Sequence, residues 1–63
     1  MRTEYTIKIT DAKGRISTSV YPKTIAEEKV LTLKEFYTGK DTIVELFKVL
    51  YNGSSFYKAY KIM

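Results

Sequence analysis

The amino-acid sequence has no cysteine, histidine or tryptophan, and it has only one proline and three glycines. Without cysteine and histidine, the chain can form no disulfide, holds no thiol nucleophile and lacks the two main zinc ligands. The missing histidine also removes the commonest general base, and the acidic residues form no obvious catalytic pair. Because the glycines are scattered along the chain, they predict no phosphate-binding loop. We therefore expect a non-catalytic protein that binds no metal and no cofactor.

Long apolar runs are missing as well. No segment approaches the ~20 apolar residues that span a membrane, and the N-terminal residues MRTEYTIKIT lack the apolar stretch of a signal peptide. These features predict a cytoplasmic protein without membrane contact. The chain, residues 1–63, fits a single domain. Since a chain of this length buries only about 60% of its unfolded surface, it depends on its apolar residues or on self-association for stability.

Basic side chains outnumber acidic ones and give a net charge of +4. Residues 1–23 carry five basic and two acidic side chains, and residues 46–63 carry three basic side chains and no acidic one. Residues 24–45 carry three basic and five acidic side chains. This asymmetry indicates that the two ends, rather than the middle, attract an anionic partner.

The N-terminal residues predict a β-hairpin. Tyr5, Ile7 and Ile9 alternate with polar residues, as in a half-buried strand, and residues 11–14 have the composition of a turn. A four-residue turn would pair Ile9 with Ile16 and place the apolar residues of both strands on one face. The other face of the hairpin is then polar and moderately basic, and it consists of Thr6, Lys8, Thr10, Arg15, Ser17 and Ser19.

Helical spacing follows the proline that ends the second strand. Two Thr-x-x-Glu sequences, at residues 24–27 and 32–35, match capping boxes. Either one helix runs from about residue 25 to residue 38, or the helix begins only at Thr32, and Gly39 ends it in both alternatives. The apolar residues at helical spacing are Ala26, Val30, Leu33 and Tyr37.

The most apolar segment, Thr42–Gly53, fits either a helix or a strand. As a helix it would place most of its apolar side chains on one broad arc, with a capping box at Thr42 and Glu45. As a strand it would use Asn52 and Gly53 as a hairpin turn. A strand here would have two apolar faces, which a domain this small could cover only by dimerising. We predict the helix and keep the strand as the alternative.

Residues 56–63 are rich in aromatic side chains and predict a C-terminal strand. The predicted fold class is therefore α+β, a small two-layer domain. Its antiparallel sheet combines the N-terminal hairpin with the C-terminal strand and is covered on one face by two helices. The alternative is a ββαββ order, with residues 42–51 as a strand.

Basic and aromatic side chains on these strands are the candidates for a binding surface. Lysines neutralise phosphates and aromatic rings stack on bases, although the same residues would also suit a soluble edge strand with its rings in the core. The six tyrosines and three phenylalanines favour a protein interface and self-association. The candidate residues are Lys8, Arg15, Tyr57, Lys58, Tyr60 and Lys61.

Three short segments carry a resemblance to a known family. Residues 5–7, the turn at 13–15 and residues 31–36 together resemble the small dimeric phage inhibitors of uracil-DNA glycosylase, over about half of the chain. The resemblance implies a small inhibitor that acts by protein–protein contact. Those inhibitors are acidic and this chain is basic, so no DNA-mimicking role and no site residue is carried over.

Taken together, these features predict a non-catalytic binding protein that acts by protein–protein interaction. Its size and composition fit a small accessory or inhibitory module of the phage or mobile-element type. We expect a homodimer with a protein as its partner. The alternative is a basic nucleic-acid-binding protein that uses its Lys/Tyr-rich strands.

Overall fold

The computed structural model describes all 63 residues, as one sheet with one helix packed against it. The strands are antiparallel and lie in the order β2-β1-β3-β4. The helix covers β1, β2 and β3 on one face and does not reach β4. The α+β class is thus confirmed, but with the alternative ββαββ order and a single helix. The elements are β1 (Arg2–Thr10), β2 (Ile16–Tyr21), α1 (Lys23–Phe36), β3 (Ile43–Asn52) and β4 (Ser55–Lys61).

The segment predicted as a second helix, Thr42–Gly53, contains strand β3, so that prediction is wrong. The segment is rich in β-branched and aromatic residues, which favour strands. β1 and β4 pair with its two edges and satisfy its backbone hydrogen bonds. Val44 and Leu46 are buried under α1, whereas Ile43 on the other face is exposed. The two apolar faces of this segment are therefore explained by its position as a central strand of the sheet.

The turn after β3 is a hairpin turn, as the strand alternative predicted, but it begins one residue later than the predicted Asn52-Gly53 turn. Asn52 pairs with Ser55, which leaves Gly53 and Ser54 as a two-residue loop. Gly53 has φ +66° and is the first loop residue, as expected for a type II′ hairpin turn. The C-terminal strand therefore pairs with β3, and not with the N-terminal hairpin as predicted.

The β1–β2 hairpin is present, but its register differs by one residue from the predicted one. Ile9 pairs with Ser17 instead of Ile16. Because side chains alternate between faces, this shift moves every β2 side chain to the opposite face. Ser17 and Ser19 consequently lie on the helix side, and Ile16 and Val20 lie on the face without a helix. The predicted polar face of the hairpin is therefore wrong in its β2 half.

The register shift arises from a five-residue loop, Asp11–Arg15, that the Asp11 carboxylate closes. Its Oδ1 accepts hydrogen bonds from the backbone N–H groups of Lys13 and Arg15, both at 2.9 Å. Its Oδ2 accepts from Arg15 Nε, also at 2.9 Å. Gly14, with φ +80°, reverses the chain and donates its N–H to the Asp11 carbonyl oxygen. These bonds keep Arg15 in the loop and delay the second strand by one residue.

Helix α1 agrees with the single-helix alternative from the sequence. Pro22 is its N-cap residue, and no side chain caps this end, so the predicted capping box at 24–27 is wrong. Thr32 lies in the middle of the helix, where its hydroxyl donates to the Glu28 carbonyl oxygen at 3.1 Å. The helix has neither the length nor the apolar character that crossing a membrane requires.

The core lies between α1 and the two central strands. Ala26 and Val30 are fully buried, and Leu33 and Tyr37 pack against the same cluster, so the predicted helical spacing is confirmed. Only five side chains are buried, which leaves this small domain with little redundancy in its packing. The core residues are Ile7, Ala26, Val30, Val44 and Leu46.

We predict that Leu46→Ala lowers the free energy of unfolding by about 2–5 kcal/mol, because it opens a cavity in the core. That loss would unfold much of a domain of this size at room temperature. Leu31→Ala is the matched control, since Leu31 is exposed on the solvent side of α1, and we expect a change within about 0.5 kcal/mol. Urea unfolding followed by circular dichroism measures both. Equal destabilisation by the two variants would contradict this core.

The Asp11 loop makes stability depend on pH. The backbone N–H of Arg15, followed by the Arg15 side chain, holds the pKa of Asp11 below its ordinary value. Because the pKa of Asp11 is lowered, its ionised carboxylate stabilises the folded state at pH values above its ordinary pKa of about 3.9. This contribution is lost as the pH falls through the pKa of the folded state.

We therefore predict that Asp11→Asn flattens the pH dependence of stability on the acid side. Asparagine keeps the Oδ1 acceptor but does not titrate. Thermal unfolding midpoints between about pH 5 and pH 2 should fall less steeply for the variant than for the unsubstituted chain. Parallel profiles would show that ionisation of the Asp11 carboxylate does not contribute to the loss of stability at acid pH.

Candidate functional site

One face of the sheet carries no helix, and the strand register identifies its residues. Side chains that pair across an antiparallel ladder point to the same face. We call the surface opposite α1 the helix-free face. From β1 and β2 it contains Arg2, Glu4, Thr6, Lys8, Thr10, Ile16, Thr18 and Val20. From β3 and β4 it contains Ile43, Glu45, Phe47, Val49, Tyr51, Phe56, Tyr57, Ala59 and Lys61.

The two central strands divide the helix-free face into two strips of different chemistry. The residues that β1 presents between Arg2 and Thr10 are all polar or charged. Those that β3 presents between Ile43 and Tyr51 are apolar or aromatic, apart from Glu45. We call these the polar strip and the apolar strip. The apolar strip has no protein layer over it, although it belongs to the most apolar segment of the sequence.

A β-bulge widens the aromatic end of this face. The β3–β4 register shifts after Leu50, so that Tyr51 pairs with Phe56 and Tyr57 is the extra residue. The Tyr51 and Phe56 rings meet edge to face, with their centroids 6.4 Å apart. The Arg2 guanidinium lies 4.6 Å from the Tyr51 ring centroid. Phe56 nevertheless stays 65% exposed.

The charges on the helix-free face largely neutralise one another. Arg2 lies 3.8 Å from Glu4, and Lys61 lies 3.4 Å from Glu45. Lys8 also faces Glu45 across the β1–β3 ladder. Three basic and two acidic side chains leave a surplus of one positive charge. The face is therefore nearly neutral, in contrast to the whole chain.

Five of the six predicted binding residues lie in strands, but on two different faces. Lys8, Tyr57 and Lys61 belong to the helix-free face. Lys58 and Tyr60 point to the opposite side of β4, the side on which α1 lies over the neighbouring strands. The predicted C-terminal strand is therefore confirmed, and the alternation of side chains along it separates these residues into two surfaces.

The sixth predicted residue, Arg15, lies outside both surfaces. It closes the β1–β2 loop with Asp11 rather than extending from a strand. Since its Nε donates to the Asp11 carboxylate, the guanidinium is partly committed to holding the loop. The structure therefore gives Arg15 a structural role in the turn.

A second surface lies where β4 extends beyond the helix. Lys48 pairs with Tyr60 and Leu50 pairs with Lys58, and all four side chains point to the helix side of the sheet. The Lys58 Nζ lies 5.2 Å from the centroid of the Tyr60 ring. Neither lysine takes part in any of the three ion pairs. This surface, which we call the β4 shelf, therefore carries two unneutralised positive charges beside an aromatic ring.

The surface depressions of the molecule are minor features compared with the helix-free face and the β4 shelf. The larger of two surface depressions lies along the α1–β3 connection, between Tyr37 and Ile43, and opens widely to solvent. No three acidic side chains converge in a group that could hold a metal ion. The organised groups of side chains are thus the helix-free face and the β4 shelf, which are both flat surfaces rather than pockets.

Sequence reasoning missed most of the apolar residues of the helix-free face. Phe47 and Tyr51 were assigned to the core of a second helix, and Ile16 and Val20 to the buried face of the hairpin. The strand alternative for residues 42–51 would have placed Phe47 and Tyr51 correctly. For Ile16 and Val20 the relevant residue is Asp11, because an aspartate that accepts hydrogen bonds from two backbone N–H groups favours a longer β1–β2 loop.

Comparison of the chain with family models, with curated proteins and with solved structures finds no match.

Proposed function

We propose that this protein is a non-catalytic protein-binding module whose binding surface is the helix-free face. The observation that carries the proposal is an apolar strip on β3 that no second layer covers. Its Phe47, Val49 and Tyr51 are half-buried, and the apolar residues around them are exposed: Ile16, Val20, Ile43, Phe56 and Tyr57. A sheet normally buries its apolar side chains against a second layer, and an exposed patch of this kind marks an interaction surface. The face is also built on paired strands, so its shape is held by backbone hydrogen bonds.

The electrostatics of the helix-free face favour a protein over a nucleic acid. Binding to a phosphate backbone depends on basic side chains that release counterions. Here Arg2 and Lys61 are paired with acidic neighbours, and only one positive charge is in surplus. Apolar and aromatic side chains at the centre, with charged residues between them, match the composition of protein interfaces.

Two exposed phenylalanines provide a matched test of this proposal. Phe56 lies on the helix-free face and is 65% exposed, whereas Phe36 lies at the end of α1 and is 61% exposed. A tagged chain should capture a polypeptide from an extract of its own organism, either another protein or an untagged copy. We expect Phe56→Ser to reduce that capture at least tenfold, in the range of an interface hot spot, and Phe36→Ser to leave it unchanged.

The proposal fails if the two variants behave alike, or if the Phe36 variant alone loses binding. It also fails if nuclease treatment abolishes the capture, because the bound species is then a nucleic acid. Circular dichroism of both variants confirms that each remains folded. Because both substitutions start from exposed side chains, neither should open a cavity in the core.

A second candidate function, binding to nucleic acid, is favoured by the β4 shelf. Lys48 lies beside Tyr60 across the β3–β4 ladder, and Lys58 precedes Tyr60 by two residues on β4. The Tyr60 ring could stack on a base while the two lysines contact phosphates. The shelf is open because α1 does not reach β4. On this proposal the helix-free face is not the nucleic-acid surface, and the shelf alone binds a single strand.

Fluorescence anisotropy with single-stranded DNA and RNA tests the shelf. We expect binding that weakens as salt is raised, with a slope that drops by about 1.4 on Lys48→Glu with Lys58→Glu, since each phosphate contact in a single strand contributes ~0.7. The matched control is Lys23→Glu with Lys34→Glu, which changes the net charge equally but lies on α1. Undetectable binding at low salt, or an equal loss in the control, would refute this candidate.

A further inference from the structure

We infer that the occupant of the helix-free face is a second copy of this chain, packed sheet to sheet about a two-fold axis. This inference rests on the proposed function, because it names the partner of the same face. The axis runs across the strands, parallel to the sheet, along one row of laterally paired residues. That row, which we call the central row, contains Val20, Thr6, Phe47 and Lys61.

The shape of the single chain indicates that a layer is missing. Its solvent-accessible surface is 4589 Å², whereas a typical monomer of 7.3 kDa exposes about 4,200 Å². Its radius of gyration is 12.3 Å, against about 11 Å for a compact chain of this length. The smallest dimension is only 15 Å, the thickness of one sheet and one helix. A third layer on the helix-free face would bring the exposed surface and the radius of gyration of the chain closer to these typical values.

The size of the face fits what a dimer needs. Four strands about 4.8 Å apart, each about 20–30 Å long, give a projected area of roughly 500 Å². Side-chain relief makes the accessible area larger than its projection, so the face approaches the ~800 Å² that each partner contributes to a standard interface. Two copies stacked on this face would form a four-layer domain with the helices outside.

The two strips decide the orientation of the second copy. An axis along the central row stacks β3 on the partner's β3 and β1 on the partner's β1. The apolar strip then packs on itself: Phe47 lies over the partner's Phe47, and Tyr51 lies over the partner's Ile43. An axis along the strands would instead stack the apolar strip on the polar strip, and would bury the charges of β1 against apolar side chains. The first arrangement is therefore favoured.

The polar strip is complementary to itself in that same arrangement. Glu4 and Lys8 lie two residues on either side of Thr6, which is in the central row. When β1 stacks antiparallel on the partner's β1, each Glu4 lies over the partner's Lys8. A two-fold axis makes this pairing occur twice. These two Glu4–Lys8 contacts bring opposite charges together, and a shifted or parallel arrangement would lose them. Lys61 lies over the partner's Lys61 at the β4 end of the central row, where each lysine is paired at 3.4 Å with Glu45 of its own chain.

Cross-linking can test the arrangement, because the chain has no native cysteine. Val20→Cys and Ile16→Cys are matched, since both residues are β-branched, lie on the same face of β2 and are 55% and 58% exposed. In the proposed dimer, Val20 lies on the central row, about 10 Å from the partner's Val20 across the sheet spacing. Ile16 lies four residues away, so roughly 28 Å separates it from the partner's Ile16.

We expect a bismaleimide reagent of about 10 Å span, chosen to match the sheet spacing, to link Val20→Cys into dimers. The Ile16→Cys variant should give at least tenfold less dimer under the same conditions. Light scattering on the unsubstituted chain provides the second measurement, with an expected mass of about twice 7.3 kDa.

A mass of one chain at millimolar concentration would overturn the second copy as occupant, and the capture experiment with Phe56→Ser would still decide whether another protein binds. A dimeric mass with equal cross-linking of the two variants, or with more cross-linking of Ile16→Cys, would overturn the proposed axis.

Discussion

The pairing of β3 with a neighbour on each edge is the interaction on which the rest of the structure depends. β1 pairs with it along nearly its whole length, and the C-terminal residues join its other edge, where Leu46 exchanges backbone hydrogen bonds with Ile62 and Met63. Once β3 is fixed in this position, alternation sends Leu46 under the helix and Phe47 to the other face. A chain with one helix can cover only one of these faces, so the apolar strip without a covering layer follows directly from the topology.

A single carboxylate determines the chemistry of the neighbouring part of that exposed face. Asp11 binds two backbone N–H groups and the Arg15 side chain, and so adds one residue to the β1–β2 loop. The extra residue brings Ile16 and Val20 to the helix-free face in place of serines. A local turn thus extends the apolar surface to the edge strand, because a one-residue slip exchanges the two faces of a strand.

The structure confirms the predictions that depended on hydrophobic periodicity along one segment, whereas the predicted capping box and the predicted turn length are wrong. The alternation of Tyr5, Ile7 and Ile9 is enough to identify β1, and the spacing from Ala26 to Tyr37 identifies α1. Helical and strand patterns are both consistent with Thr42–Gly53, and only pairing with distant strands decides between them. The candidate site could be predicted only in part for the same reason. A strand pattern places Tyr57 and Lys58 on opposite faces of the sheet, but it does not show which face the helix covers.

The distribution of charge connects the two surfaces. The helix-free face has one surplus positive charge, whereas the β4 shelf has two lysines and no acidic partner. Contact between two copies through their shelves would place like charges together, which is unfavourable. Contact through the helix-free faces pairs each Glu4 with a lysine and buries the apolar strip. The same distribution therefore favours self-association on one side of the sheet and leaves Lys48 and Lys58 exposed to an anionic partner on the other.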